Sequence, residues 1–195
     1  MLRFICYSMH PNEKYISALY NEQVNSLYSY GCKFTGNREL VKDCIHDVFV
    51  KLCTKEDILS IKNMKSYLLC SLKNSLLDEL SNIQPDNIDE STFSYQHEFS
   101  DENPQMDIKE TERLKKEYIE KIFENLTGVQ KETIYLYYIE KLSYDEICQM
   151  LGMNYQSVRN TAHRAIKRLR EKLGDSPPDF FMFFLTFFEK NEYKN

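Results

Sequence analysis

Apolar residues recur along this chain at three- and four-residue spacing, and the strongest case is the stretch from Ser143 to Leu173. Ile147 and Leu151 lie on one face of a short helix that Ser143 caps, with Glu146 three residues on to complete a capping box. Gly152 supplies a residue able to take positive φ in the turn that follows. Asn154 is a good N-cap for a second helix, along which Val158, Ala162, Ala165, Ile166, Leu169 and Leu173 form a stripe. The opposite face carries Arg159, Asn160, His163, Arg164, Lys167 and Arg168. This pattern predicts a helix-turn-helix whose second helix is polar and cationic, as a DNA major groove accepts. The plainer alternative is a helical hairpin with a solvated basic face. Caps, turn glycine, stripe and charge agree with one another, which favours DNA binding.

The same spacing predicts helices elsewhere. Residues Glu13 to Gly31 place Ile16, Leu19, Tyr20, Val24, Leu27 and Tyr28 at helical intervals, and an FTGN turn follows. From Glu39 to Cys53, Leu40, Val41, Cys44, Ile45, Val48, Phe49 and Leu52 make a wide apolar face. Glu39, Asp43 and Asp47 make an acidic ridge on the other side. Like charges four apart cost a few tenths of a kcal/mol per pair, so helix propensity does not explain the ridge. It reads as a solvated face or, more sharply, as a surface for a partner of opposite charge. A third helix, about Asn63 to Leu80, buries Tyr67, Leu68, Leu72, Leu76, Leu77 and Leu80 and exposes a mildly basic surface with Lys62, Lys65, Lys73 and Asn74. Three such helices can pack as a small bundle.

Between Ile83 and Lys109 the periodicity stops. Asp, Glu, Asn, Ser and Gln dominate, which predicts a flexible acidic linker. A helix from about Thr111 to Asn125 follows, with Leu114, Tyr118, Ile119, Ile122 and Phe123 inside. Thr127 and Gln130 form a second capping box, opening a helix to about Lys141 that buries Ile134, Tyr137 and Tyr138. Gly174, Pro177 and Pro178 stop the last helix, and a Phe-rich tail, FFMFFLTFF, ends the chain. The expected fold is all-α: a helical domain at 13–82, a linker at 83–110, a helix-turn-helix domain at 111–174 and a tail at 175–195.

Composition narrows what this fold can do. With a net charge of −5, the chain cannot bind nucleic acid as a polycation, so any DNA contact needs a local cationic patch. The six cysteines show no Cys-x-x-Cys pair, so they read as reduced, small apolar residues, and no metal site is expected. Phe180 to Phe188 is about half the length of a membrane span, and the N-terminal apolar run is too short for a signal peptide. A cytoplasmic protein is expected. There is no glycine-rich phosphate loop, His-x-x-x-His pair or nucleophile motif, so neither catalysis nor a cofactor is expected.

Taken together, ELVKDCIHDVFVKL at 39–52, MKSYLLCSLKNSLLDEL at 64–80 and the whole of 126–173 resemble the extracytoplasmic-function (ECF) sigma factors of bacterial RNA polymerase. Asp43, Ile45, His46, Asp47 and Phe49 match that family's DxVQExF-like helix, with His46 in place of glutamine. Residues 126–173 resemble sigma region 4, and the NYQSVRN form is similar to Bacteroidetes members. The resemblance implies promoter recognition within RNA polymerase holoenzyme. Region 2 would grip the β′ clamp helices through Glu39, Asp43, His46 and Asp47, and capture the −10 element with Lys65, Lys73 and Asn74. Region 4 would touch the β flap and read the −35 element. Arg159, Asn160, His163 and Arg164 would read bases, Gln156 and Ser157 would meet phosphate at the helix start, and Lys167 and Arg168 would meet backbone or water. A membrane-bound anti-sigma factor is implied as a further partner, and a small-molecule substrate is not. The chain departs from the family at Glu79, Leu80, Ser81 and Asn82, where arginines are usual, at Thr161, and in lacking Trp. The alternative is a helix-turn-helix regulator that never binds core polymerase.

Overall fold

The computed structural model describes residues 13–55, 57–83, 93, 121 and 123–173. Its contacts divide the chain into two units, one ending at Asn87 and the other beginning at Ile88. All regular elements among the described residues are helical, with no strand.

The first unit contains α1 (Glu13–Gly31), α2 (Arg38–Cys53) and α3 (Met64–Ile83), each packed against the other two. Asn37 caps α2, its Oδ1 accepting from Leu40 N at 3.2 Å. Asn63 does the same for α3, accepting from Ser66 N at 3.0 Å. The expected apolar faces meet in one core: Ile16, Leu19 and Leu27 of α1, Val41, Cys44, Ile45, Val48, Phe49 and Leu52 of α2, and Leu68, Leu69, Leu72 and Leu76 of α3 are buried. Tyr30 joins them, edge-on to Phe34 with ring centroids 5.1 Å apart. Gly31 lets α1 end close against α2. A Cβ there would stand 2.6 Å from Cγ1 of Val41.

In the second unit Thr127 caps α4 (Gly128–Ile134) with the expected reciprocal bonds: Thr127 Oγ1 accepts from Gln130 N, and Gln130 Oε1 accepts from Thr127 N. Sequence periodicity would continue this helix to about Lys141. Instead Tyr135–Ile139 forms a π-helical turn, closed by Glu140 N donating to Tyr135 O at 3.1 Å. The wider turn changes which side chains face inward. Five consecutive residues, Glu132 to Leu136, are buried, whereas Tyr137 and Tyr138, expected inside, are only half-buried. Lys141 then adopts a left-handed conformation (φ 58°), and Leu142 N donates to Leu136 O at 3.0 Å.

One residue of the expected linker belongs to this unit's core. Phe93 is 2% exposed, with its ring 5.8 Å from that of Tyr135. The reading of 83–110 as wholly unpacked therefore fails at Phe93, because an aromatic ring gains more from burial than a local run of polar neighbours can reveal. Of the helix expected at 111–125, Lys121, Phe123 and Glu124 are helical and Phe123 is buried, while 111–120 and Ile122 lie outside the described residues. So do the tail and the rest of the expected linker apart from Ile83, which is the last residue of α3. The described cysteines (32, 44, 53, 70 and 148) form no disulfide, and no cluster of metal-ligating side chains occurs among the described residues. None of the described helices is long and apolar enough to cross a membrane.

Candidate nucleic-acid interface

The helix-turn-helix comprises α5 (Tyr144–Leu151) and α6 (Tyr155–Leu173), which pack on each other, with α4 also against α6. Ser143 caps α5: its Oγ accepts from Glu146 N at 3.4 Å, and Glu146 Oε2 accepts from Ser143 N at 2.7 Å. Gly152 closes the helix with φ 63°. No atom lies within 4 Å of where a Cβ would stand, so glycine answers to the backbone conformation and not to crowding. Asn154 starts α6, its Oδ1 accepting from Ser157 N at 2.8 Å.

Along α6, Val158, Ala162, Ala165 and Leu169 are buried and Ile166 is half-buried; the side chain of Leu173 lies outside the description. This stripe fixes the rotation of the helix about its axis. It leaves Gln156, Arg159, Asn160, His163, Arg164 and Lys167 exposed. Gln156 Nε2 donates to Asn160 Oδ1 at 3.1 Å, which aligns two amides one turn apart. Lys167 Nζ stands 3.9 Å from Glu171 Oε1, a solvent-exposed pair that leaves the ammonium available. Ser157 is half-buried and its backbone N–H is already given to Asn154, so only its hydroxyl remains for a phosphate.

Arg168 has a different place from the one expected. Its Nη1 donates to Gln130 Oε1 at 2.8 Å, across 38 residues, so this arginine ties α6 to the cap of α4. Tyr155, passed over in the sequence because it is neither cationic nor part of the stripe, stands half-exposed at the first position of α6. Its ring is edge-on to Tyr144, with centroids 5.8 Å apart, and Tyr144 stacks on Tyr137 at 4.7 Å. Burial, then the neighbouring tyrosines, raise the Tyr144 phenol above its ordinary pKa, while the charge of Arg159 pulls it down.

In the first unit the ridge of Glu39, Asp43 and Asp47 is exposed along α2, with His46 half-buried beside it. Lys42 pairs with Glu39 at 2.7 Å, so the ridge carries one partial neutralisation at its N-terminal end. The residues expected to meet the −10 element do not form one patch. Lys65 and Asn74, nine residues apart in α3, project from opposite sides of the helix at about 100° per residue. Lys73 is half-buried, its ammonium 6.0 Å from the Phe34 ring centroid, and Asn74 is exposed.

Residues 116–169 match the family model described as sigma-70, region 4. No curated protein matches the chain in sequence. Among solved structures, the chain is similar to one described as the sigma factor RpoE in complex with the anti-sigma factor NepR from Bartonella quintana. The TM-score is 0.58 at 17% identity, over 82% of this chain and 97% of that one. At that identity the likeness establishes a shared fold, and the region 4 match independently assigns the helix-turn-helix. Residues 116–169 thus form a sigma-70 region 4 domain, in a chain that shares the fold of a solved sigma factor.

Proposed function

We propose that this protein directs core RNA polymerase to promoters, with the DNA-reading face of α6 selecting the −35 element. The observation that carries this reading is the face itself. Arg159, Asn160, His163 and Arg164 stand exposed on a helix whose rotation is fixed by a buried stripe and whose start is fixed by Asn154. Arginine can donate two hydrogen bonds to guanine, and amides and imidazoles can meet other base edges. Gln156, the Ser157 hydroxyl and Lys167 hold the phosphate backbone on either side. Region 4, at 111–174, also touches the β flap.

Region 2, at 13–82, docks on the β′ clamp helices through Glu39, Asp43, His46 and Asp47, and opens the −10 element. The exposed, like-charged ridge supports this docking, since a cationic partner would relieve its repulsion. Because Lys65 does not share a face with Asn74, the −10 contacts divide between separate surfaces of α3. The segment 83–110 links the domains. The solved RpoE–NepR complex supports an anti-sigma factor as a further partner, which we place at the membrane. The site of action is the cytoplasm, where polymerase and promoter are.

Reconstitution tests this directly. Core polymerase with the full chain should give promoter-specific run-off transcription; DNA binding by the chain with no core binding would instead identify a regulator outside the polymerase. Arg159→Ala and Arg164→Ala should each weaken −35 recognition by about 1–3 kcal/mol. Reversing Asp43 and Asp47 to lysine should impair core binding and leave the region 4 fold unchanged.

A further inference from the structure

The geometry points to Tyr155 as a further specificity residue of region 4, its ring meeting the C5-methyl group of a thymine in the −35 element. This rests on α6 being the −35 reader. Tyr155 is 49% exposed, on a surface otherwise made of polar and cationic side chains. It is not loosely placed. Tyr144 holds it edge-on at 84°, and Tyr144 is itself stacked on Tyr137 with the rings 19° from parallel. Tyr137 comes from the π-helical turn, whose Tyr135 and Leu136 are buried in the core. The ladder therefore runs from the core to the surface and ends in a ring that is already oriented, so little side-chain freedom is lost when it binds.

DNA is the occupant that the surroundings favour. Arg159 follows Tyr155 by one turn on the same face, and His163 follows Arg159 by another, both exposed. Arg164 and Lys167 extend the cationic surface, which complements phosphate and would repel a cationic partner. The N-terminal residues of a recognition helix are those that reach base edges. Thymine carries the one apolar group on the major-groove edge of the four bases, so an aromatic edge placed there has a single preferred partner. The rival contact, the phenol hydroxyl to a phosphate, would carry no sequence information.

The two contacts separate in transcription by core polymerase reconstituted with the full chain, on a promoter recovered from a randomised duplex pool. Each −35 thymine is replaced in turn by deoxyuridine, which removes the methyl group and nothing else. One position should lower output about fourfold, the value of one buried methyl group. Tyr155→Ala should lose a similar factor on the thymine promoter and become indifferent to deoxyuridine at that position, while Tyr155→Phe should behave as the parent. Native-state hydrogen exchange at the α5 and α6 amides of both variants controls for folding. Transcription unchanged in Tyr155→Ala, a loss without any deoxyuridine-sensitive position, or a loss in Tyr155→Phe equal to that in Tyr155→Ala would each overturn the assignment. Absence of any promoter-specific transcription by the parent chain would overturn the −35 reading itself, and this one with it.

Discussion

Replacing Arg168 by alanine distinguishes a structural arginine from a DNA-binding one. Its guanidinium donates at 2.8 Å to Gln130 Oε1, the same oxygen that accepts from Thr127 N in the α4 cap. A hydrogen bond with one charged partner contributes about 1.5–3 kcal/mol. Gln130 is 7% exposed, which argues for the upper part of that range, but Arg168 is exposed and water competes for its guanidinium. The lower end, about 1.5 kcal/mol, is therefore expected. Because the chain has two units, global melting would mix them, so the measurement is native-state hydrogen exchange read at amides of α4 and α6. Exchange there should speed by about tenfold in Arg168→Ala, since 1.4 kcal/mol corresponds to one decade. In a double-mutant cycle with Gln130→Ala, the two changes should couple by about 1 kcal/mol or more. Lys167→Ala is the control: its pair with Glu171 is long and exposed, so exchange should stay within about a factor of two. Unchanged exchange in Arg168→Ala, together with lost promoter activity, would refute the reasoning and return Arg168 to the DNA surface.

Three further expectations follow from single residues. Phe93→Ala should destabilise the second unit by about 3 kcal/mol, the lower end for emptying a buried phenylalanine site, read as faster exchange around Tyr135. Lys141→Gly should stabilise the same unit by about 1 kcal/mol by removing the left-handed strain of an exposed lysine, seen as protection of the α4 and α5 amides. The Cys44 thiol is raised above its ordinary 9.0, first by burial and then by Glu79, Asp47 and Asp43, against a lowering hydrogen bond with Ser75. The folded state thus holds this proton more tightly than the unfolded chain. Its contribution is whole below about pH 9 and is lost as pH rises through the folded value. In urea unfolding of the first unit, the loss between pH 8 and pH 10.5 should be smaller in Cys44→Ala than in the parent.

What could be read from the sequence was what neighbours in the chain determine. Ser143 with Glu146, Thr127 with Gln130, Gly152 and Asn154 all act within one helical turn, and each does what its type and spacing imply. The stripe on α6 likewise follows from a period, and with it the exposure of Arg159, Asn160, His163 and Arg164. Contacts between distant residues left no such mark. Arg168 looks like any surface cation until α4 is packed beside it, and Phe93 is one aromatic in a polar run whose partner, Tyr135, lies far along the chain. The π-helical turn arose where YLYYI offers apolar side chains in every direction, so no period could choose among them. That ambiguity reaches the functional surface. By rotating Tyr135 and Leu136 inward, the wider turn leaves Tyr137 half-buried, able to support Tyr144 and through it Tyr155. Arg168, by contrast, is drawn into the fold and withdrawn from the cations available to DNA. On a chain of net charge −5, an α6 surface led by Arg159, Arg164 and Lys167 has few phosphates it can neutralise, so its electrostatic hold on DNA is small. On the proposed function, oriented groups such as Tyr155 and the Gln156–Asn160 pair would then contribute chiefly to discrimination, and the grip on promoter DNA would fall to the polymerase.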